Sequence, residues 1–332
     1  MTKLIRDEIW ILSDGRAGNY SQAFGLVVAL GLSYKIIDIS YGFFSILPNI
    51  ILQSSLLSLD KKSREKLRGF DYFPKLIISA GRREAPIVLY LKKQSQNQTK
   101  IVQIMNPNLC FSKFDFVILP YHDKIKTVAT NVLRSVGALT KISDEAIKNE
   151  CEKYRSWFAN NDKKSLAVFL GGDTKKTKFS SDAAKKLAQK VAEIANNMGL
   201  KLYVLNSRRT SDEVSEIVKS ILQKEKCDFK FFDFKELRGE NPYLAILGFA
   251  DFFVVTADSV SMISESCSTG KSVYVFDDEK ISTKKHKNFL KYLLLEKYVR
   301  LLENNLKFLQ NFSPKRLSET KRIAEIINMK LK

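Results

Sequence analysis

The sequence predicts an α/β protein built from two Rossmann-like, doubly wound domains. Three observations lead there. Short apolar runs of four to six residues recur along the chain, each bounded by Gly, Pro, Asp or Ser, as in parallel strands buried on both faces. Helix-periodic stretches alternate with those runs, which is the order of a parallel sheet with crossover helices. The length of 332 residues exceeds what a single core usually serves. The expected division is 1–160, 161–310 and a basic C-terminal helix over 311–332 that crosses back to the first domain.

The first series opens with the strand IWIL at Ile9 to Leu12, a turn over residues 13–19 and a helix from about Ser21 to Leu30. The strand YKIIDI follows at Tyr34 to Ile39, then Leu76 to Ser79, Ile101 to Met105 and Phe116 to Leu119. The second series opens with LAVFL at Leu166 to Leu170. It continues with a helix over Ser181 to Met198, a strand over Lys201 to Leu205 and a helix over Asp212 to Gln223. Its later strands are placed at Lys230 to Phe232, Phe252 to Val255 and Val273 to Phe276. Charged, helix-prone residues from Ser143 to Lys164 separate the two series, with the linker placed at Asn160 to Lys164. One segment breaks the rhythm. Phe43 to Leu59 is apolar but interrupted by Pro48 and several serines, so it is too broken to span a bilayer. Apolar helical stripes usually pack inside, so core burial is the expectation, with lipid contact as the alternative.

Composition narrows the function. The four cysteines are scattered, none forms a CxxC pair, and there are two histidines, so no metal site is expected and the thiols are read as reduced. No run approaches about 18 apolar residues, and the acidic start MTKLIRDEIWILSDG does not read as a signal peptide, so a cytoplasmic location is expected. The net charge is +19, and residues 280–332 carry fourteen Lys+Arg against four Asp+Glu. That surface suits a phosphorylated substrate, an anionic membrane or plain solvation. Specific nucleic-acid binding is disfavoured, because no recognition motif appears and aromatics do not interleave with the cations.

The motifs sit where the predicted strands end. In ADFFVVTADSVSMISESCSTGKSVYVF, from Ala250 to Phe276, a strand runs into small hydroxyl residues and a short helix from Ser259 to Ser268, then a second strand. A helix N-terminus at that edge can hold a diphosphate, and Glu265 is placed to accept hydrogen bonds from a sugar diol. Gly15 and Gly18 of DGRAGN allow positive φ. Asp14 there is either a general base or a helix cap, and Gln22 is either a ligand contact or exposed. Gly81 and Arg82 of SAGRR would turn the chain and offer a guanidinium to phosphate. His122 in PYHD is a candidate proton acceptor beside Asp123, although lone histidines are more often structural. Gly171 and Gly172 could cradle a phosphate through their N–H groups. Ser207 and Arg208 of NSRRT, and Asn241 of ENPY, lie at further turns. The DGRAGN loop is not GxGxxG, and Gly270-Lys271-Ser272 is not a Walker loop, because Glu265 stands where its first glycine belongs. NAD-dependent epimerase chemistry is weaker still, lacking that glycine fingerprint and a Tyr-x-x-x-Lys pair.

In their joint order, DGRAGN with Gln22, SAGRR, QIMNP, PYHD, the Gly-Gly pair, NSRRT, ENPY and TADSVSMISES resemble the mitochondrial-fission ELM family. These bacterial and plant proteins are related to GT-B glycosyltransferases, and the resemblance reaches to about Phe276. It implies a GT-B-like pair of domains facing a cleft and metal-independent transfer from a nucleotide-sugar, such as a UDP-sugar, with no other cofactor. Glu265 would bind the donor ribose. Ser259, Ser261 and Met262 would line the donor pocket, with Gly172 and Arg208 near the diphosphate. Asp14 or His122 would activate the acceptor hydroxyl. The expected function is a glycosyltransferase acting at the inner face of a membrane on a lipid-linked or envelope saccharide. The alternative is a non-catalytic adaptor that keeps the scaffold.

Overall fold

The computed structural model describes residues 4–121, 123, 129–158, 163–174, 176–237, 239–312 and 314–331. The chain divides into two units, Met1–Lys141 with Ser318–Lys332, and Ile142–Leu317. In the first unit the chain runs β1 (Leu4–Ser13), α1 (Ala17–Leu30), β2 (Tyr34–Asp38), α2 (Asn49–Leu52), α3 (Lys61–Arg68), β3 (Tyr72–Ala80), α4 (Ala85–Gln94), β4 (Lys100–Ile104), β5 (Phe116–Pro120) and β6 (Val132–Ser135). The strands form one parallel sheet in the order β2-β1-β3-β4-β5-β6.

Strand periodicity explains the continuous apolar runs. Ile9 and Ile11 of β1 pack with Ala23, Leu26 and Val27 of α1 on one face. Trp10 and Leu12 point the other way, into a core with Ile87, Val88 and Leu91 of α4.

The second unit continues with α5 (Asp144–Lys153), α6 (Arg155–Phe158), β7 (Ser165–Phe169), α7 (Ser181–Met198), β8 (Lys201–Leu205), α8 (Asp212–Lys224), β9 (Phe229–Phe232), α9 (Tyr243–Phe249), β10 (Phe252–Thr256), α10 (Val260–Cys267), β11 (Ser272–Phe276), α11 (Lys284–Leu295) and β12 (Arg300–Leu301). Its parallel sheet has the order β12-β11-β10-β7-β8-β9. The amphipathic face of α7 (Leu187, Val191 and Ile194) fills one side of the sheet. On the other side Phe169 meets Tyr243 of α9, and Phe158 of α6 meets Tyr203. The last helix, α12 (Glu319–Leu331), returns to the first unit and adds Ile323, Ala324 and Ile327 to the α1 side of its core. Val136 N–H donates to Glu319 and Thr140 N–H to Thr320, each at 2.8–2.9 Å, fixing where the returning helix begins.

Two parallel six-stranded sheets with crossover helices are the Rossmann-like architecture the sequence predicts. Several local readings are corrected. Helix α1 starts at Ala17, four residues before the expected Ser21, so Gly18 is helical and lacks the positive φ expected of it. The charged segment after Ser143 belongs to the second unit, because α5 packs on α9. Gly248 permits that approach; a Cβ there would stand 2.2 Å from Cys151 Sγ. The Phe43 to Leu59 segment is core only in part. Leu52, Leu56 and Leu59 are buried, but Phe43 is 82% exposed, Ile46 70% and Ile50 73%. Residues Phe43–Ile46 make one 3-10 turn and Asn49–Leu52 one α-helical turn, and Asn49 Nδ2 pins the latter to the carbonyls of Arg82 and Pro107.

Candidate functional site

Each sheet reverses its strand order at one place, between β1 and β3 in the first unit and between β7 and β10 in the second. Open α/β sheets bind ligands outside the strand ends at such reversals. Helices α3, α5, α7, α8 and α11 are capped by the side chains of Asp60, Ser143, Ser180, Ser211 and Thr283. Helices α2 and α9 have no side-chain cap, and neither have α1, α4 and α10. The last three begin just beyond β1, β3 and β10. In α10 the first-turn N–H groups are thereby left for an outside acceptor, whereas in α1 Asn19 N–H donates to the Arg16 carbonyl, and in α4 Ile87 N–H donates to the Glu84 carbonyl and Pro86 has no N–H.

At the reversal in the second unit, β10 ends in Thr256, and Asp258 follows with 1% of its side chain exposed. Asp258 accepts from Thr256 Oγ1 at 2.7 Å, from Gly172 N at 2.9 Å and from Arg209 Nη2 at 3.0 Å. Thr256 Oγ1 accepts from Gly171 N at 2.8 Å. The two glycines are required by crowding. A Cβ on Gly171 would lie 2.2 Å from the Asp258 carboxylate, and one on Gly172 would lie 2.1 Å from the Arg209 carbonyl. The expectation that these N–H groups are free for a phosphate is thus corrected, since Thr256 and Asp258 occupy them. The NSRRT turn closes the same network. Ser207 Oγ donates to the Gly171 carbonyl at 3.0 Å, and Arg209 Nη1 reaches the Gly172 carbonyl at 3.1 Å. It is Arg209, not the predicted Arg208, that is tied in. Arg208 is exposed and makes no hydrogen bond or ion pair among the described residues.

Helix α10 presents its open end beside this network. Ser259 is its buried N-cap residue, Ser261 is exposed and Met262 is half-buried. Glu265, further along the helix, accepts from the Tyr243 hydroxyl at 2.6 Å. Burial, with Glu265 opposite, pushes the Tyr243 phenol well above its usual range, so it stays a donor. Asn241 is exposed and turns its side chain onto Tyr243 N–H at 3.0 Å. His286 opens α11 in a reciprocal capping box with Thr283, its Nδ1 accepting from Thr283 N–H at 3.3 Å. Lys271 of the Gly-Lys-Ser turn caps the C-terminal end of α9, donating to the carbonyls of Leu247, Gly248 and Ala250.

In the first unit, Asp14 and Gly15 follow β1 and Gly81 and Arg82 follow β3, so the strand-order reversal gathers them. Gly15 and Gly81 have φ of +74° and +98°, as their turns need. Arg82 is exposed, and Gln22 donates back to the Gly18 carbonyl at 3.2 Å. His122 lies outside the described residues. Sequence reading missed Asp258, Thr256, Arg209 and Tyr243. The small-hydroxyl run around Asp258 was visible, but its partners come from loops 49 to 86 residues away.

The profile of the family described as Mitochondrial fission ELM1 matches residues 17–331. The chain belongs to this family. An uncharacterized Rickettsia prowazekii protein, RP120, is 32% identical, the alignment covering 98% of each chain. Arabidopsis thaliana mitochondrial fission protein ELM1 is 28% identical over 67% of this chain and 56% of its own length. Among solved structures, the Neisseria meningitidis UDP-GlcNAc 2-epimerase bound to UDP-GlcNAc superposes with a TM-score of 0.52 at 11% identity, covering 98% and 99% of the two chains. A Polygonum tinctorium UDP-glucosyltransferase gives 0.55 at 9%, covering 100% and 93%. At those identities the likeness concerns the fold, a GT-B-like two-domain α/β scaffold. Among the described residues no helix is long and apolar enough to cross a membrane, and no group of three or more His, Cys, Asp or Glu could hold a metal ion.

Proposed function

We propose that this ELM-family chain is a glycosyltransferase that moves a sugar from a nucleotide-sugar donor to a lipid-linked or envelope saccharide. The observation that carries the reading is the open N-terminus of α10 at the strand-order reversal, with Glu265 beyond it on the same helix. The donor diphosphate would meet the first-turn N–H groups of α10, with the exposed Arg208 guanidinium adding charge. Glu265, already oriented by Tyr243, would accept from the ribose hydroxyls. Fixed N–H dipoles and a cation stabilise the departing diphosphate without reorganising, which is where such sites lower a barrier most. Asp14 or His122 would activate the acceptor hydroxyl. The solved UDP-sugar structures of similar fold support a nucleotide-sugar as the ligand class. A peripheral membrane location fits the exposed Phe43, Ile46 and Ile50 beside the lysine-rich α3.

One observation favours a second reading, a non-catalytic adaptor with a fission-type role. The Gly-Gly loop is internally satisfied by Asp258 and Thr256, as in a scaffold that has no phosphate to hold. A thermal-shift screen of nucleotide diphosphates and UDP-sugars separates the two. The transferase reading expects stabilisation by at least one donor and its loss in Glu265→Ala. Equal melting temperatures across the whole panel would leave the adaptor.

A further inference from the structure

The second unit carries a hollow that the donor reading does not use. It lies at the β12 edge of the sheet, not at the strand-order reversal, and its volume is about 640 Å³. Its origin is local. Strand β12 has only two residues, and the chain from Glu303 to Phe312 forms no helix or strand to cover the sheet beyond it. That segment is instead hung from β11 by two side chains. Tyr274 Oη accepts from Gln310 N–H at 2.9 Å and donates to the Gln310 carbonyl at 3.0 Å. Ser272 Oγ accepts from Phe312 N–H at 3.0 Å and donates to the Phe312 carbonyl at 2.9 Å. Leu294 from the last turn of α11, with Val299, Leu301, Leu306 and Phe312, gives the hollow an apolar wall.

Three charged residues share that lining, Lys297, Arg300 and Glu303. The Arg300 guanidinium lies over the Phe312 ring, 4.6 Å from its centre, and its Nη1 donates to Gln310 Oε1 at 2.9 Å. Those contacts hold the guanidinium against the apolar wall, while Nε and Nη2 have no acceptor among the described residues. Lys297 and Glu303 make no side-chain hydrogen bond or ion pair among the described residues. Hollows of roughly 300–1,000 Å³ with apolar walls and a few polar groups are the usual size and make-up of small-molecule sites. The chemistry here narrows the guest. A polar guest would leave the leucine and phenylalanine wall uncovered, and a wholly apolar one would leave two cations unanswered. Two cations against one carboxylate favour an anion, and the guanidinium fork matches a pair of oxygens on one head group.

We propose that this hollow binds an amphipathic anion, an aliphatic chain ending in a carboxylate or phosphate. The chain lies against Leu294, Val299, Leu306 and Phe312. The head bonds to Arg300, and Lys297 adds charge. Glu303 opposes the head and sets an upper limit on affinity. The site lies wholly within the second unit and holds whether the protein is a transferase or an adaptor.

The test is calorimetric titration of the full-length chain at low ionic strength with decanoate, decyl phosphate and decanol, each kept below its micelle or solubility limit. One site per chain is expected for at least one of the two anions, and the better head identifies the natural one. Decanol, with the same chain and no charge, should bind about tenfold or more weakly. Arg300→Gln should weaken the anion about tenfold and leave decanol unchanged, whereas Glu303→Gln should tighten the anion. Both positions are exposed, so the unliganded melting temperature should change little. Leu301→Asp, at a side chain already 37% exposed, should weaken the anion by placing like charge on the wall. No saturable binding of either anion, equal affinity for anion and decanol, or wild-type affinity in Arg300→Gln overturns the proposal. Loss of binding in Phe43→Ser with Ile50→Ser also overturns it, since the amphiphile would then sit on the exposed apolar surface of the first unit.

Discussion

His286 shows how one side chain records its surroundings. Its Nδ1 must keep a lone pair to accept from Thr283 N–H, so the capping box exists only for the neutral ring. Burial lowers its pKa below the ordinary 6.5. Arg209 and Lys285 add to that, while Asp258 and Asp277 oppose it. A folded value below the unfolded one means the unfolded chain binds the proton first. Stability from this group is therefore complete above about pH 6.5 and is lost as pH falls through the folded value. Urea midpoints measured from pH 7.5 to 5 should fall in the wild type and fall less in His286→Gln. Identical slopes in the two proteins would remove His286 as the sensor. The same scale explains why Arg209 and not Arg208 holds the Gly-Gly loop. Adjacent arginines are indistinguishable in sequence, but their backbone positions aim them apart. One meets Asp258, which is 99% shielded, and the other meets solvent.

Among the elements, the excursion between β2 and α3 is the least explained by folding. An isolated antiparallel bridge between Tyr41 and Leu59 closes its base, and it turns Phe43, Ile46, Ile50 and Ile51 outward. Basic α3 follows directly, with Lys61, Lys62, Arg64, Lys66 and Arg68 against one Glu. If this surface meets anionic lipid, each exposed ring or branched chain contributes about 2 kcal/mol on burial. The double variant Phe43→Ser with Ile50→Ser should then weaken sedimentation with phosphatidylglycerol vesicles by about 100-fold or more, with stability changing by only about 0.5 kcal/mol. Unchanged partitioning would show that these residues do not face the bilayer. Helix α10 is the converse case. It lacks a side-chain cap where α11 after it has one, and it begins at the strand-order reversal.

At the scale of the molecule, the chain crosses between the units twice, at residues 141–142 and 317–318. The second crossing completes the first core, because Ile323 and Ile327 are 0% exposed against the α1 side of the sheet. Ile327→Ala should cost about 2–5 kcal/mol, borne by the first unit. Calorimetry should show one transition moved down and the transition of the second unit in place. A uniform downward shift would mean that the two cores unfold as one.

Sequence reading placed the strand ends, and with them the loops of interest, because a parallel strand buried on both faces is a short apolar run closed by a turn residue. The helix over Ser181–Met198 was legible for a similar reason, an apolar stripe between a serine and a glycine. Strands β6 and β12 escaped notice, being short and half-buried or exposed, without a continuous apolar signal. The role of Gly172 was misjudged for another reason. Glycine permits close approach, but which group approaches is settled by loops distant in the chain, here Asp258 and Arg209. The Phe43–Leu59 segment was legible only in part, with Leu56 and Leu59 in the core and Phe43 and Ile50 outside it, since apolar residues carry no label for core or surface. Periodicity is a property of neighbours along the chain and can be read there. The satisfaction of a buried hydrogen bond, or the covering of an apolar face, depends on residues brought together from far apart, and only folding chooses those partners.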